Sequence, residues 1–64
     1  MSLEELIEEI SDIKKRLISF GQNLRQCNEI DEETFTRLAT HQWRACDDIA
    51  WIGGGLLIKL KSKE

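Results

Sequence analysis

The sequence predicts an all-α protein: an antiparallel helical hairpin that dimerises into a four-helix bundle and ends in a short tail. Its apolar residues repeat at alternating spacings of three and four, proline is absent, and one short turn motif separates two such repeats. This spacing is typical of helices that pack in coiled coils or bundles. The 64 residues suffice for one domain, with helix 1 at about 3–27, helix 2 at about 32–52 and a tail at 53–64.

Helix 1 is predicted from its first residues. Ser2 and Glu5 have the spacing of a capping box, in which each side chain binds a free backbone N–H of the first turn. Gly21 costs about 1 kcal/mol relative to alanine inside a helix, and we expect it to allow close approach of another helix. The heptad runs over the whole helix: Leu3, Leu6, Ile10, Ile13, Leu17, Phe20, Leu24 and Cys27.

A tight turn is predicted at Asn28-Glu29-Ile30-Asp31. Asp31 is a favourable N-cap for the next helix. Ile30 and Phe35 have the spacing of a hydrophobic staple, in which an apolar side chain before the N-cap packs against one in the first turn of the helix. A connection of about 2–5 residues places the two helices antiparallel.

Helix 2 continues the heptad with smaller residues beside it. Ala39, Cys46 and Gly53 form a flanking row that suits close interlocking. Gln42 occupies a core position, where a polar residue often fixes register and oligomeric state. The repeat is Phe35, Leu38, Gln42, Ala45, Ile49, Ile52 and Leu56.

The end of helix 2 is predicted at Gly53-Gly54-Gly55, because glycine is favoured just past a helix C-terminus. Residues 56–61 then alternate with a period of two, which is compatible with a short strand. The alternative is that helix 2 continues through the glycines.

A single hairpin of this size leaves apolar surface exposed, and below about 70–80 residues one core rarely suffices for stability. Association of two copies into a bundle is the remedy most consistent with the heptads. The predicted oligomer interface consists of Leu6, Ile10, Ile13, Leu17, Phe20, Leu24, Leu38, Gln42, Ala45, Ile49 and Ile52.

The heptad-bearing helices and the turn Asn28-Glu29-Ile30-Asp31 resemble those of the plasmid copy-control hairpin proteins. The resemblance implies a dimeric four-helix bundle and, as one alternative, binding to a structured RNA. That family binds RNA through a phenylalanine on helix 1 flanked by amide and basic residues. Ser11, Lys15 and Ser19 do not reproduce this pattern, so no functional residue is carried over.

Charge and hydropathy narrow the classes of partner. Twelve acidic residues against nine Lys and Arg give a net charge of −3, whereas general nucleic-acid binding needs a basic surface. The acidic N-terminus is unlike a signal peptide, and the ten-residue apolar run at 49–58 is shorter than the roughly 20 residues of a membrane span. We therefore expect a cytoplasmic protein that binds no membrane, with Cys27 and Cys46 reduced.

The most unusual feature is on helix 2. Arg37, His41, Arg44, Asp48 and Trp51 share one stripe outside the core repeat, and Trp43 lies one row over. Tryptophan and arginine are enriched in binding hot spots, which indicates a protein-binding face. Arginines beside an indole would also suit a small anion such as a nucleotide. In a third interpretation both tryptophans pack on the second subunit.

No pattern indicates an enzyme. The sequence lacks paired catalytic acids and bases, a phosphate-binding loop and a metal-ligand cluster, so we expect no catalytic residue, no metal and no cofactor. The leading hypothesis is a small homo-oligomeric adaptor or inhibitor, of the kind that phages and plasmids encode, acting on another protein. The alternatives are sequestration of a small anionic ligand and binding of a structured RNA.

Overall fold

The computed structural model describes residues 1–62 and contains two antiparallel helices, α1 at Leu3–Gln26 and α2 at Glu32–Ser62. The hairpin is a thin rod with principal extents of 49 × 15 × 14 Å. The predicted all-α hairpin is thereby confirmed. Lys63 and Glu64, which the prediction assigned to the tail, lie outside the described residues.

Both ends of α1 are closed by local hydrogen bonds. The Glu5 backbone N–H donates to Oγ of Ser2 at 3.1 Å, and the Ser2 N–H donates to Oε1 of Glu5 at 3.3 Å. The predicted capping box is therefore confirmed. At the other end the Cys27 N–H donates to the Leu24 carbonyl at 3.3 Å. The helix ends at Gln26, one residue before the predicted end.

The connection to α2 spans residues 27–31. The first turn of α2 is closed by the Phe35 N–H, which donates to the Asp31 carbonyl at 2.9 Å. Ile30 and Phe35, the predicted staple pair, are both half-buried. The turn and the start of α2 thus lie where the sequence predicts them.

The predicted end of helix 2 was wrong. α2 continues through Gly53, Gly54 and Gly55 to Ser62, so neither the tail from residue 53 nor a strand at 56–61 forms within the described residues. All three glycines keep negative φ. Their combined cost, about 3 kcal/mol relative to alanine, is offset because good helix formers follow them and Leu56 and Leu60 are half-buried on the α1 side. Neither described helix holds an apolar stretch long enough to cross a membrane.

Two adjacent rows of each helix face the other helix. In α1 the half-buried or buried positions are Leu3, Ile7, Ile10, Leu17, Gly21 and Leu24. In α2 they are Phe35, Ala39, Gln42, Cys46, Ile49, Gly53, Leu56 and Leu60, and Ala45 and Gly54, which lie beside these rows, are half-buried as well. Gly53 lies opposite Ile10 in this register, since a β-carbon added to Gly53 would lie 3.8 Å from Cγ2 of Ile10. At 1.5 Å per residue this places Leu60 beside Leu3.

A polar contact reinforces the register. Nε2 of Gln42 donates to the Leu17 carbonyl at 3.1 Å and approaches Sγ of Cys46 at 3.5 Å. Gly21 provides the space for this amide, since a β-carbon there would lie 2.7 Å from Nε2. Gln42 therefore fixes the two helices of one hairpin relative to each other. That Gln42 also sets the oligomeric state stays a prediction.

The hairpin buries little of its surface. Among the described residues only Leu24 is buried, and 6% of its surface is still exposed. The accessible surface is 5471 Å², whereas a folded monomer of 7.4 kDa is expected to expose about 4,200 Å². The excess, roughly 1,250 Å² by this scaling, reflects a rod-like shape with one narrow line of helix contact.

Candidate functional site

The six residues predicted as a binding site spread around α2 instead of forming one patch. Arg37, Arg44 and Trp51 repeat every seven residues on the row directed away from α1, and all three are exposed. His41 and Trp43 are both exposed as well. At about 100° per residue, His41 lies roughly 160° from Trp43, so these two side chains lie on nearly opposite sides of the helix.

The basic part of the predicted site is accompanied by acids. Nη2 of Arg37 lies 3.2 Å from Oε1 of Glu33, in an exposed pair spaced four residues apart. Asp31 and Glu32 line the same shallow depression as Arg37, together with Glu33, Thr36, Thr40, His41 and Arg44. Three carboxylates thus accompany two guanidinium groups, which weighs against recognition of a phosphate there.

The two tryptophans are the most distinctive exposed side chains. Trp43 is 64% and Trp51 is 82% exposed. Indole rings of this size bury large apolar areas when they find a partner. Within the hairpin described here neither ring is enclosed, so the surface they present is available to another molecule.

Trp43 forms one wall of a groove between the helices. The groove has a volume of about 620 Å³ and lies on the side of the hairpin where α1 presents Ile18. Its floor is widened by small residues, because Gly21 faces Ala39 and Cys46 there. Arg25 and Asp47 flank it with opposite charges.

Sequence reasoning missed this groove. Ile18 is 45% exposed. Its position outside the heptad was the feature of the sequence that could have indicated a second apolar surface. The sequence identified Ala39 and Cys46 as a small flanking row suited to close packing, and both residues do face α1. In the structure the same small side chains leave an open space beside Trp43.

The other side of the hairpin carries the apolar face, defined as Leu6, Ile13 and Phe20 of α1 with Leu38, Ala45 and Ile52 of α2. The five large side chains of this set are between 38% and 49% exposed, and Ala45 is half-buried. The remaining residues of the predicted oligomer interface face the other helix of the same hairpin: Ile10, Leu17, Leu24, Gln42 and Ile49.

Groups with reactive chemistry do not converge. Within residues 1–62 no three His, Cys, Asp or Glu side chains are placed to share a metal ion. Both cysteines are free: Cys27 is exposed at the end of α1, and Cys46 is half-buried beside Gln42.

Comparison of the chain with models of known protein families, with curated proteins and with solved structures gives no match.

Proposed function

We propose that this chain is a small, non-enzymatic, homo-oligomeric binding protein that acts as an adaptor or inhibitor of another protein through Trp43, Trp51 and Arg44 of α2. The observation that carries the proposal is the exposure of both indoles, 64% for Trp43 and 82% for Trp51. Tryptophan and arginine contribute most of the binding energy at many protein interfaces.

A protein fits this surface better than a small ligand. Trp43 and Trp51 are eight residues apart, which is about 12 Å along the helix axis, so both rings cannot stack on one nucleotide. Of the two arginines in the predicted site, Arg37 is already paired with Glu33. An elongated partner surface could contact Trp51 on the outer row and reach around α2 to the groove at Trp43.

The test is affinity capture of the tagged full-length protein from its own cells, comparing wild type with Trp43→Ala, Trp51→Ala and Lys15→Ala. Lys15 is exposed on α1 and serves as the control. We expect one co-purifying protein whose yield falls at least about tenfold in each tryptophan variant, equivalent to about 1.4 kcal/mol, and is unchanged in Lys15→Ala.

Thermal melting and sedimentation of the same purified variants separate binding from packing. We expect both tryptophan variants to fold and to keep the oligomeric state of the wild type. If either variant unfolds or dissociates, the indoles pack on the second subunit and the proposed binding role is wrong. A captured protein that persists in both variants would also overturn it.

A further inference from the structure

We infer that a second copy of this chain covers the apolar face, leaving the groove at Trp43 and the outer row of Trp51 free. The inference deepens the homo-oligomeric part of the proposed function and rests on it. It assigns the interface to one of the two long sides of the hairpin.

The two halves of the apolar face lie on the same side of the hairpin. In α1 the exposed row that begins at Leu6 follows the inward row of Leu3 by three residues, and in α2 the row of Leu38 follows that of Phe35 by three residues. Antiparallel helices that meet through equivalent rows are related by an approximate two-fold axis perpendicular to their common plane. Equivalent rows therefore point to the same side, and six apolar side chains form one continuous strip.

The surplus of exposed surface over a compact monomer exceeds what a dimer interface needs on one chain. The hairpin exposes roughly 1,250 Å² more than a compact monomer of its mass. A standard interface buries about 800 Å² on each partner. A second copy that covers one side of the rod would bury an area of this size on each chain. It would also enclose side chains that the single hairpin leaves partly exposed.

The opposite side is less suited to self-association. Its rows carry Glu4, Ser11, Ile18 and Arg25 on α1 and Thr36, Trp43, Ala50 and Leu57 on α2, so half of the eight positions are charged or polar. Counted over the same four positions on each helix, the rows of the apolar face add only Cys27 and Lys59 to its six apolar residues, so one of eight positions is charged. Interfaces combine such an apolar centre with a polar rim, and the adjoining rows supply one: Glu9, Arg16 and Asn23 on α1, and Thr34, His41 and Asp48 on α2.

A matched pair of variants tests the assignment. Ile13 and Ile18 are both on α1 and are 42% and 45% exposed, but they lie on opposite sides of the hairpin. Sedimentation velocity of the full chain over a concentration series is compared for wild type, Ile13→Glu and Ile18→Glu. A two-fold interface would bury the Ile13→Glu carboxylate twice, so we expect its dimer dissociation constant to rise at least about 100-fold. Ile18→Glu should sediment as the wild type does.

Three results would overturn the inference: a monomeric wild type, a dimer that Ile13→Glu does not weaken, or a dimer lost equally in Ile13→Glu and Ile18→Glu. If Ile13→Glu does not fold, the milder Phe20→Gln on the same face takes its place and is expected to weaken the dimer while retaining helical circular dichroism. The protein-partner proposal fails separately, since its readout is a captured protein that depends on Trp51. Because Ile18 lies at the groove, Ile18→Glu is expected to weaken capture of the protein partner but to leave the dimer intact.

Discussion

Gly21 and Gln42 form a steric pair across the two helices. A β-carbon on Gly21 would lie 2.7 Å from Nε2 and 3.0 Å from Cδ of Gln42. The absent side chain lets the amide reach the Leu17 carbonyl at 3.1 Å. Gly21 is thus unfavourable for α1 by helix propensity, but it makes room for the hydrogen bond of Gln42 that fixes the register of the two helices.

The pair predicts non-additive stability. Gly21→Ala alone should be nearly neutral, because about 1 kcal/mol of helix propensity is offset by a displaced amide and a lost hydrogen bond of about 1 kcal/mol. In the Gln42→Ala background the same change should stabilise by about 1 kcal/mol. Urea unfolding of all four proteins at one protein concentration measures the coupling, and additive free energies would contradict the contact.

The continuity of α2 predicts that glycine replacements stabilise the protein. A β-carbon on Gly54 or Gly55 would meet nothing within 4 Å. Gly54→Ala and Gly55→Ala should therefore each raise the free energy of unfolding by about 1 kcal/mol. Thermal melting followed by circular dichroism checks this. A helix that ended at residue 52 would show no gain in stability from either change.

The capping box predicts a specific loss at the start of α1. Ser2→Ala removes the oxygen that accepts the Glu5 N–H at 3.1 Å, which should cost about 1 kcal/mol. Ser11→Ala is the control, because Ser11 is exposed inside the same helix and alanine is the better helix former. Equal melting temperatures for the two variants would show that the cap contributes nothing.

The two thiols should differ in reactivity. Cys27 is exposed, whereas Cys46 is half-buried against the Gln42 amide. Labelling of the native protein with a thiol reagent should therefore show a fast and a slow phase. Cys27→Ser should abolish the fast phase alone, and a single phase of equal rate for both thiols would be incompatible with this packing.

Local signals in the sequence were sufficient for much of the fold. Ser2 with Glu5 predicted the start of α1, and Asp31 with the short turn predicted the start of α2, since caps and turns depend on neighbours along the chain. The end of α2 was not predictable in this way. The three glycines are unfavourable locally, and their cost is outweighed by burial across the hairpin, where Leu56 and Leu60 are half-buried on the α1 side.

The candidate site was harder to predict for a related reason. A heptad identifies apolar rows, but the crossing of two helices decides which rows face inward. Ile10 and Ile13 belong to one stripe in the sequence, yet Ile10 faces α2 and Ile13 lies on the exposed face. The stripe predicted on α2 likewise grouped His41 with Trp51 and left Trp43 one row over. Trp43 lines a groove between the two helices, which a pattern on one helix cannot predict.

The most direct test of the central claim is native mass spectrometry of the protein purified gently from its own cells, with wild type and Trp51→Ala side by side. The account predicts two copies of the chain bound to a larger protein for wild type, and two copies alone for Trp51→Ala. A single chain would contradict the two-fold bundle. Two chains carrying only a few hundred extra daltons would contradict the protein partner and support sequestration of a small ligand instead.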